Sequence, residues 1–435
     1  MSYLINIELA RQLYSFLLWL SLPIILARLL WRSRKNPKYR FNWLQRFGQV
    51  KESKSSYDIW IHAVSLGETN ASAPLIQKLI QEYPDLRIFI TTMTPTGLER
   101  IKEIFRNHVG YSYAPYDYPF AIRKFMSCVN PKILILIETE IWPNMIDFCK
   151  KTDVPVVMLN MRLSSKSKQN YQRIAWLTKQ TLLQITSFGV QSEKHCKRLA
   201  SLGVKRSSIH RTGSMKFEMK LAAGVHEIAE AVRQDWGHDR LVITAGSTHD
   251  GEETMLASIF HELKNIHQEL LLVIAPRHPE RFHGVCRLLE RNRLNFLRRT
   301  EQHGALPRTV DILVADTLGE LPVLYGAADI AIVGGSFISG LGGHNILEPC
   351  SVGVPVIFGP FMPNFEEISQ LAVEANAGIQ VQNKEGLRTT LSKLLMDPNL
   401  RSSMGDYGVK MIEKNSGATE LSMKILQPML DNLYE

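Results

Sequence analysis

Lys132-Ile133-Leu134-Ile135-Leu136-Ile137-Glu138-Thr139-Glu140 is the stretch that sets the fold class. Its aliphatic run leaves no polar face. Such a run suits a strand buried on both sides, as in a parallel sheet covered by helices on each face. The same style recurs around it. Strands are predicted at 58–64, 86–92, 132–137, 155–160 and 187–191, with helices between them, for example at 72–82 and 141–151. A second series follows at 241–245, 271–275, 312–314, 330–333 and 354–358, with helices at 252–263 and 279–292. The polar, basic stretch 205–220 has no clear period and reads as the linker. Self-similar repeats are absent. The pattern predicts an α/β protein of two doubly wound, Rossmann-like domains facing a cleft. Ligands in such sheets bind beyond the carboxyl ends of the strands, so the residues after each strand matter most.

The chain has 435 residues, 45% hydrophobic and 21% charged, which excludes a long disordered chain. At about 150 residues per domain, it holds two or three domains. The formal charge is +9, but it is local. Between Arg28 and Lys54 lie nine basic residues and one acid, Glu52, a net of +8, leaving +1 for the other 408 residues. That distribution argues against a nucleic-acid partner. Cys128, Cys149, Cys196, Cys286 and Cys350 stand singly, in no CxxC pair. They read as buried thiols in a reducing compartment and exclude a disulfide framework or zinc knuckle.

Residues 13–27, LYSFLLWLSLPIILA, carry no charge. A full membrane crossing needs about 20 residues. Leu29, Leu30 and Trp31 extend the run past Arg28, whose side chain can snorkel. Arg32, Arg34, Lys35, Lys38, Arg40 and Arg46 follow, the reverse of a cleaved signal peptide. The positive-inside rule then keeps the body cytoplasmic. A short span and an in-plane anchor both fit, with a buried helix as the alternative. For either anchor, the basic segment lies against anionic headgroups, each charge worth about 1 kcal/mol.

The first strand runs into His62-Ala63-Val64-Ser65-Leu66-Gly67-Glu68-Thr69. Gly67 permits a tight turn and Glu68 opens a helix, whose N-terminus stabilises a carboxylate. Glu68 is either a first-turn acid or a general base poised over the cleft. His62 and Ser65 cap, orient or pack. The run 133–137 ends in Glu138-Thr139-Glu140-Ile141-Trp142-Pro143. Which of Glu138 and Glu140 faces the cleft stays open, and two such carboxylates repel and raise one pKa. Asn160-Met161-Arg162-Leu163-Ser164-Ser165-Lys166-Ser167-Lys168 holds three cations and three hydroxyls. It is a solvated helix start or a contact to an anionic acceptor.

In the second series Ala245-Gly246-Ser247-Thr248-His249 follows one strand, and Ala275-Pro276-Arg277-His278-Pro279-Glu280-Arg281 the next. Arg277 before a helix start suits a phosphate. Gly334-Gly335-Ser336-Phe337-Ile338-Ser339-Gly340-Leu341-Gly342-Gly343-His344-Asn345-Ile346-Leu347-Glu348-Pro349 is the strongest local signal. Five of its first ten residues are glycine, directly after a strand. Missing side chains let backbone N–H groups approach an anion. Asn345 caps the next helix, and Glu348 is placed to hold a ribose diol. The spacing is neither a P-loop nor a clean GxGxxG, and HExxH and zinc spacings are absent.

Five of these strings, 62–68, 138–143, 162–164, 275–281 and 343–349, resemble those of the Kdo transferases. That family moves 3-deoxy-D-manno-oct-2-ulosonic acid (Kdo) from CMP-Kdo to a lipid A precursor in lipopolysaccharide core biosynthesis. Each string alone is weak, but all five in order behind an anchor are specific. The resemblance runs from the apolar N-terminus to about residue 420. It implies a GT-B glycosyltransferase, with an anchor at 1–35, an acceptor-binding domain at 36–210 and a CMP-Kdo-binding domain at 211–435. The last helix is free to pack back on the first domain. It also implies inverting, metal-independent transfer, with no cofactor, to lipid IVA on the cytoplasmic face of the bacterial inner membrane.

By the same resemblance Glu68 matches the proposed base, and Glu138 or Glu140 a second acid near the acceptor. Arg277 and His278 fall at the donor phosphate or base. Gly334, Gly335, Ser336, His344, Asn345 and Glu348 fall in the nucleotide loop, with Ser247, Thr248, Gly319 and Glu320 completing the donor pocket. Arg162, Ser164, Lys166 and Lys168 are expected to hold an acceptor phosphate. Met161 stands where the family commonly has a small residue, and little effect is expected. Two other readings compete: a GT-B enzyme using a UDP-sugar, and a non-catalytic membrane-associated sugar or lipid binder.

Overall fold

The computed structural model describes residues 2–50, 56–218 and 221–433. Lys51, Glu52 and Lys54 of the basic run, the side chain of Lys35 and the last two residues of the expected linker lie outside the described residues. The chain forms two compact units, residues 1–219 with 415–435, and residues 220–414. The division falls at 219/220 rather than 210/211.

The first unit is built on β1 (Ile59–His62), β2 (Ile88–Thr92), β3 (Val109–Tyr113), β4 (Ile133–Ile137), β5 (Val156–Met161), β6 (Ser187–Val190) and β7 (Ile209–Arg211). They pair in parallel in the order β3-β2-β1-β4-β5-β6-β7. Alternate residues explain the unbroken apolar runs. Leu134, Leu136, Met158 and Phe188 pack on one face, and Ile133, Ile135, Ile137, Val157 and Leu159 on the other. Both faces are covered, so the strands are mainly apolar, and buried polar residues such as His62, Thr91, Thr92 and Asn160 stand towards their carboxyl ends.

The second unit is built on β8 (Val242–Thr248), β9 (Leu271–Pro276), β10 (Phe296–Arg298), β11 (Ile312–Val314), β12 (Ile330–Val333), β13 (Val356–Phe358) and β14 (Gly378–Gln380). All pairs are parallel, in the order β10-β11-β9-β8-β12-β13-β14. Ile243, Ile274, Ile332 and Ile357 cover one face, and Val242, Leu271, Val273 and Leu313 the other.

The expected linker 205–220 is corrected by its described part. β7 pairs with β6, and a helical turn over Met215–Glu218 buries Met215 and Phe217. The final helix, Ala418–Asp431, belongs to the first unit, where Ala418, Leu426 and Leu430 join its core. Glu218 fastens it there, accepting from the backbone N–H of Gly417 and of Thr419 at 2.9 Å each. The N-terminal helix α1 (Ser2–Lys35) is apolar enough over Glu8–Arg34 to cross a membrane. Of the basic run behind it, Arg46 is not free for headgroups. It is buried, donates to the Met93 carbonyl at 3.1 Å and lies 4.1 Å from the Tyr113 ring centre.

Candidate functional site

Each sheet reverses its winding at one point, between β1 and β4 in the first unit and between β8 and β12 in the second. Binding crevices in doubly wound sheets form beyond the carboxyl ends at such points. The acids after β1 and β4, and the loops after β8 and β12, flank these two points.

In the first unit Ser65 caps α2 (Leu66–Glu82), its Oγ accepting from the Glu68 N–H at 3.3 Å. The Ser65 hydroxyl donates to Glu68 Oε1 at 2.9 Å, and the Val64 N–H donates to Oε2 at 2.7 Å. The acid is thus held in one rotamer by its own helix start. Glu68 is 8% exposed. Burial raises its pKa to about 8; Glu140 and Glu138 add to the rise, against Ser65 and Val64.

Glu138 follows β4 directly, with a left-handed φ of 63°. Its carboxylate lies 3.4 Å from Lys216 Nζ and 3.9 Å from Arg162 Nε. Burial raises Glu140 to about 7, opposed by the Trp142 indole N–H, which donates to Oε2 at 2.6 Å, and reinforced by Glu138. Both acids therefore bear on Glu68, and Glu140 bears more strongly. His62 is structural. It is fully buried, its Nδ1 is 2.9 Å from Thr91 Oγ1, and burial lowers its pKa to about 3.

The expected acceptor cations are not gathered together. Arg162 reaches the carboxylate group. Ser164 instead caps the helix Ser165–Arg173, accepting from the Ser167 N–H at 3.0 Å. Lys166 and Lys168 are two residues apart on that helix and so point to different sides.

In the second unit the glycine loop lies against the end of β8. A Cβ on Gly334 would stand 2.5 Å from the Ser247 carbonyl oxygen, and one on Gly335 (φ 65°) 2.8 Å from the His344 ring. The expectation that these amides face a bound anion is corrected at two positions. Glu252, which is buried, fills that place. Its Oε2 accepts from the N–H of Gly335 at 2.8 Å and of His249 at 2.9 Å, and its Oε1 from Phe337 at 3.1 Å.

The other expected donor residues divide into inward and outward groups. Ser336 is fully buried, donating to the Val333 carbonyl at 2.6 Å and accepting from the Gly359 N–H at 2.8 Å. Ser247 (φ 56°) and Thr248 are buried, and the Thr248 hydroxyl donates to Glu253 Oε1 at 3.0 Å. Arg277 and His278 are exposed past β9. Asn345 receives the Leu347 N–H at 3.1 Å and donates to Glu348 Oε1 at 3.2 Å. Burial raises the Glu348 carboxyl, with Asn345 and Arg277 opposing. Gly319 (φ 84°) and Glu320 follow β11, where Glu320 pairs with Arg299 at 3.5 Å.

His249 was legible only as part of a string. Its Nε2 lies 2.8 Å from that of His344, with the rings 5.1 Å apart and nearly coplanar. The His278 ring stands 5.4 Å from it. Burial lowers His344 to about 3, with Arg277, His249 and His278 adding to the effect. The pair is therefore neutral, one nitrogen donating and the other accepting. Glu252 was missed altogether, although acids opening a helix just after a strand repeat the sign given by Glu68. Among the described residues no group of three His, Cys, Asp or Glu is arranged to hold a metal ion.

Residues 41–219 match the family model described as 3-deoxy-D-manno-octulosonic-acid transferase (kdotransferase). The 3-deoxy-D-manno-octulosonic acid transferase of Haemophilus influenzae is 36% identical over 425 residues, covering 97% of this chain and 99% of that one. The enzyme of the same name from Bordetella pertussis is 32% identical, covering 86% and 87%. Among solved structures, the UDP-GlcNAc 2-epimerase of Neisseria meningitidis superposes with a TM-score of 0.59 at 14% identity, covering 85% of this chain and 100% of that one. A glycosyltransferase from Rickettsia africae gives 0.54 at 14% identity, covering 87% and 97%. At such identities these two carry the fold alone, GT-B with two Rossmann-like domains. The sequence relatives carry more, and on them the chain belongs to the 3-deoxy-D-manno-octulosonic acid transferase family of glycosyltransferases.

Proposed function

We propose that this protein transfers Kdo from CMP-Kdo to a lipid A precursor such as lipid IVA, with inversion and without a metal ion. The reaction belongs to lipopolysaccharide biosynthesis and takes place at the cytoplasmic face of the bacterial inner membrane. The observation that carries this reading is Glu68, a buried carboxyl at the winding reversal of the first sheet with its pKa raised to about 8. A base working near neutral pH needs such a value.

In the ionised enzyme Glu68 takes the proton of an acceptor hydroxyl. The hydroxyl oxygen bonds to the anomeric carbon of Kdo as the bond from that carbon to the CMP phosphate oxygen breaks. The departing phosphate gains negative charge, which preorganised cations and dipoles stabilise. Arg277 suits that task, beside neutral His249 and His344. Glu348, close to Arg277, suits the ribose. Gly335 and Phe337 take no direct part, because Glu252 holds their amides. Their role is to fix the loop. Arg162 and Lys166 meet an acceptor phosphate.

Purified protein incubated with CMP-Kdo, a tetraacylated lipid A precursor and EDTA should give a product heavier by one or more Kdo units. The number of units sets how many additions it makes. CMP binding without any mass gain would overturn the acceptor, and failure of both would overturn the donor. Inhibition by UDP but not by CMP would favour a UDP-sugar enzyme.

A further inference from the structure

α1 is not a free-standing rod. Its inner face is tied to the first unit along half of its length. Arg11 lies 3.1 Å from Asp147 and donates to Asn144 Oδ1 at 3.2 Å, and the Ser15 hydroxyl donates to the same oxygen at 3.1 Å. The Tyr118 hydroxyl donates to the Leu18 carbonyl at 2.8 Å. Trp19 stacks on Phe120 with ring centres 5.5 Å apart, and Phe120 in turn stacks on Phe47. The chain beyond the helix thus returns to the helix's own middle. At the far end Arg40 donates to Ser33 Oγ at 3.1 Å.

The opposite face is apolar and exposed. Leu9, Leu13, Phe16, Leu20, Ile24 and Trp31 are all exposed, Ile24 by 70%. Their spacing puts them on one side, away from Arg11, Ser15 and Leu18. The stripe runs about 33 Å at 1.5 Å per residue. With residues 8–19 fixed to the unit, only residues 20–34 remain to enter lipid. That is roughly 22 Å of helix, short of the roughly 30 Å hydrocarbon core. Crossing would require either breaking these contacts or drawing Asp147 and Lys151 towards the hydrocarbon. Arg28, Arg32, Arg34, Lys38 and Arg40, exposed at the C-terminal end, complement an anionic leaflet.

We infer that α1 lies in the plane of one leaflet, with its outer stripe in anionic lipid and its inner face on the first unit, so that the chain is held to one side of the bilayer without crossing it. The inference deepens the membrane-surface reading above and rests on it. Helices that lie in the interface bury one apolar face at the boundary of headgroups and acyl chains.

The test is sidedness in a Gram-negative host. Ser2→Cys and His303→Cys are each placed in the full chain with Cys128→Ser, Cys128 being the cysteine that is not buried. Spheroplasts are treated with a membrane-impermeant maleimide before and after lysis. The in-plane arrangement makes both cysteines react in the same compartment, and reaction in opposite compartments overturns it. Which compartment they share is a separate result. Both reacting only after lysis supports the cytoplasmic face; both reacting in intact spheroplasts overturns that face but keeps the in-plane helix. Purified full chain should also float with vesicles of phosphatidylethanolamine and phosphatidylglycerol, and several-fold less with phosphatidylcholine or after Leu20→Glu with Ile24→Glu. A chain that dimerises and does not float would assign the stripe to a second copy and overturn lipid as its occupant.

Discussion

Glu68 and Glu252 hold the same station in two sheets. Each stands in the first turn of the helix that follows its unit's first strand, and each accepts a backbone N–H from the turn before it. From there they diverge. Glu252 also takes the amides of Gly335 and Phe337 from across its sheet, so both of its oxygens are used in holding a loop. Glu68 has one amide and one hydroxyl, and its further neighbours are acids that push its pKa up. On the function proposed above, the same local device serves architecture when amides surround it and chemistry when it is buried beside other carboxylates.

The sharpest way to break that comparison is Glu68→Gln. Glutamine keeps the shape and can still bond Val64 and Ser65, but it cannot take a proton. Losing a general base costs roughly 10²- to 10⁴-fold in rate. We expect kcat to fall in that range with an unchanged circular dichroism spectrum and a Tm no lower than that of the wild type. Unchanged turnover would make Glu68 a second Glu252, a helix-start acid only.

The reciprocal change is smaller and of another kind. Glu252→Gln puts an NH2 group against a backbone N–H and leaves a buried donor unpaired, at about 1–3 kcal/mol. Lower Tm and a raised KM for the donor should result, with kcat changed least. A fall in kcat alone, with stability intact, would mean that Glu252 takes part in the chemistry.

The two acids also show what a sequence reveals. Glu68 was legible because everything that positions it lies within four residues. Glu252 was not, because two of its partners lie more than eighty residues away, brought in only when β12 pairs with β8. Strands behaved alike. The ten recognised in the sequence have neighbours on both sides and are apolar over most of their length. The four that were missed, β3, β7, β10 and β14, are the four sheet edges. With one flank unpaired they need less burial, and Val109-Gly110-Tyr111-Ser112-Tyr113 or Ile209-His210-Arg211 carries no unbroken apolar run. The linker was misplaced for the same reason, since β7 is an edge.

A pH profile sharpens the comparison further. Glu68 is raised to about 8 and Glu140 to about 7, while unfolded glutamates titrate near roughly 4.3. Between these limits the folded state binds more protons than the unfolded one. Stability from this group is therefore complete below the unfolded value, falls as pH rises through 7 to 8, and then levels off. Activity should run the other way, rising over the upper part of that window as the base ionises. The apparent values belong to Glu68 and Glu140 together rather than to either residue alone. Glu68→Gln should flatten the stability loss measured by denaturant melts at several pH values. A wild-type stability that does not decline would mean that Glu68 and Glu140 are ionised in the fold.

The smallest expected effect tests how far the first unit's site extends. Arg162 lies 3.9 Å from Glu138 and so touches the carboxylate group itself, whereas Lys166 is exposed on a helix beyond it. If both meet an acceptor phosphate, they should fail differently. Lys166→Ala removes one solvated charge contact, worth about 0–1 kcal/mol, so the acceptor KM should rise at most a few-fold with kcat unchanged. Arg162→Ala should raise KM and also lower kcat, because Glu138 then repels its neighbouring acids with one cation fewer to balance it. The double variant should add the KM effects without a further drop in kcat. Normal KM and kcat in that double variant would remove Arg162 and Lys166 from the acceptor site, leaving the acids with Lys216 beside Glu138.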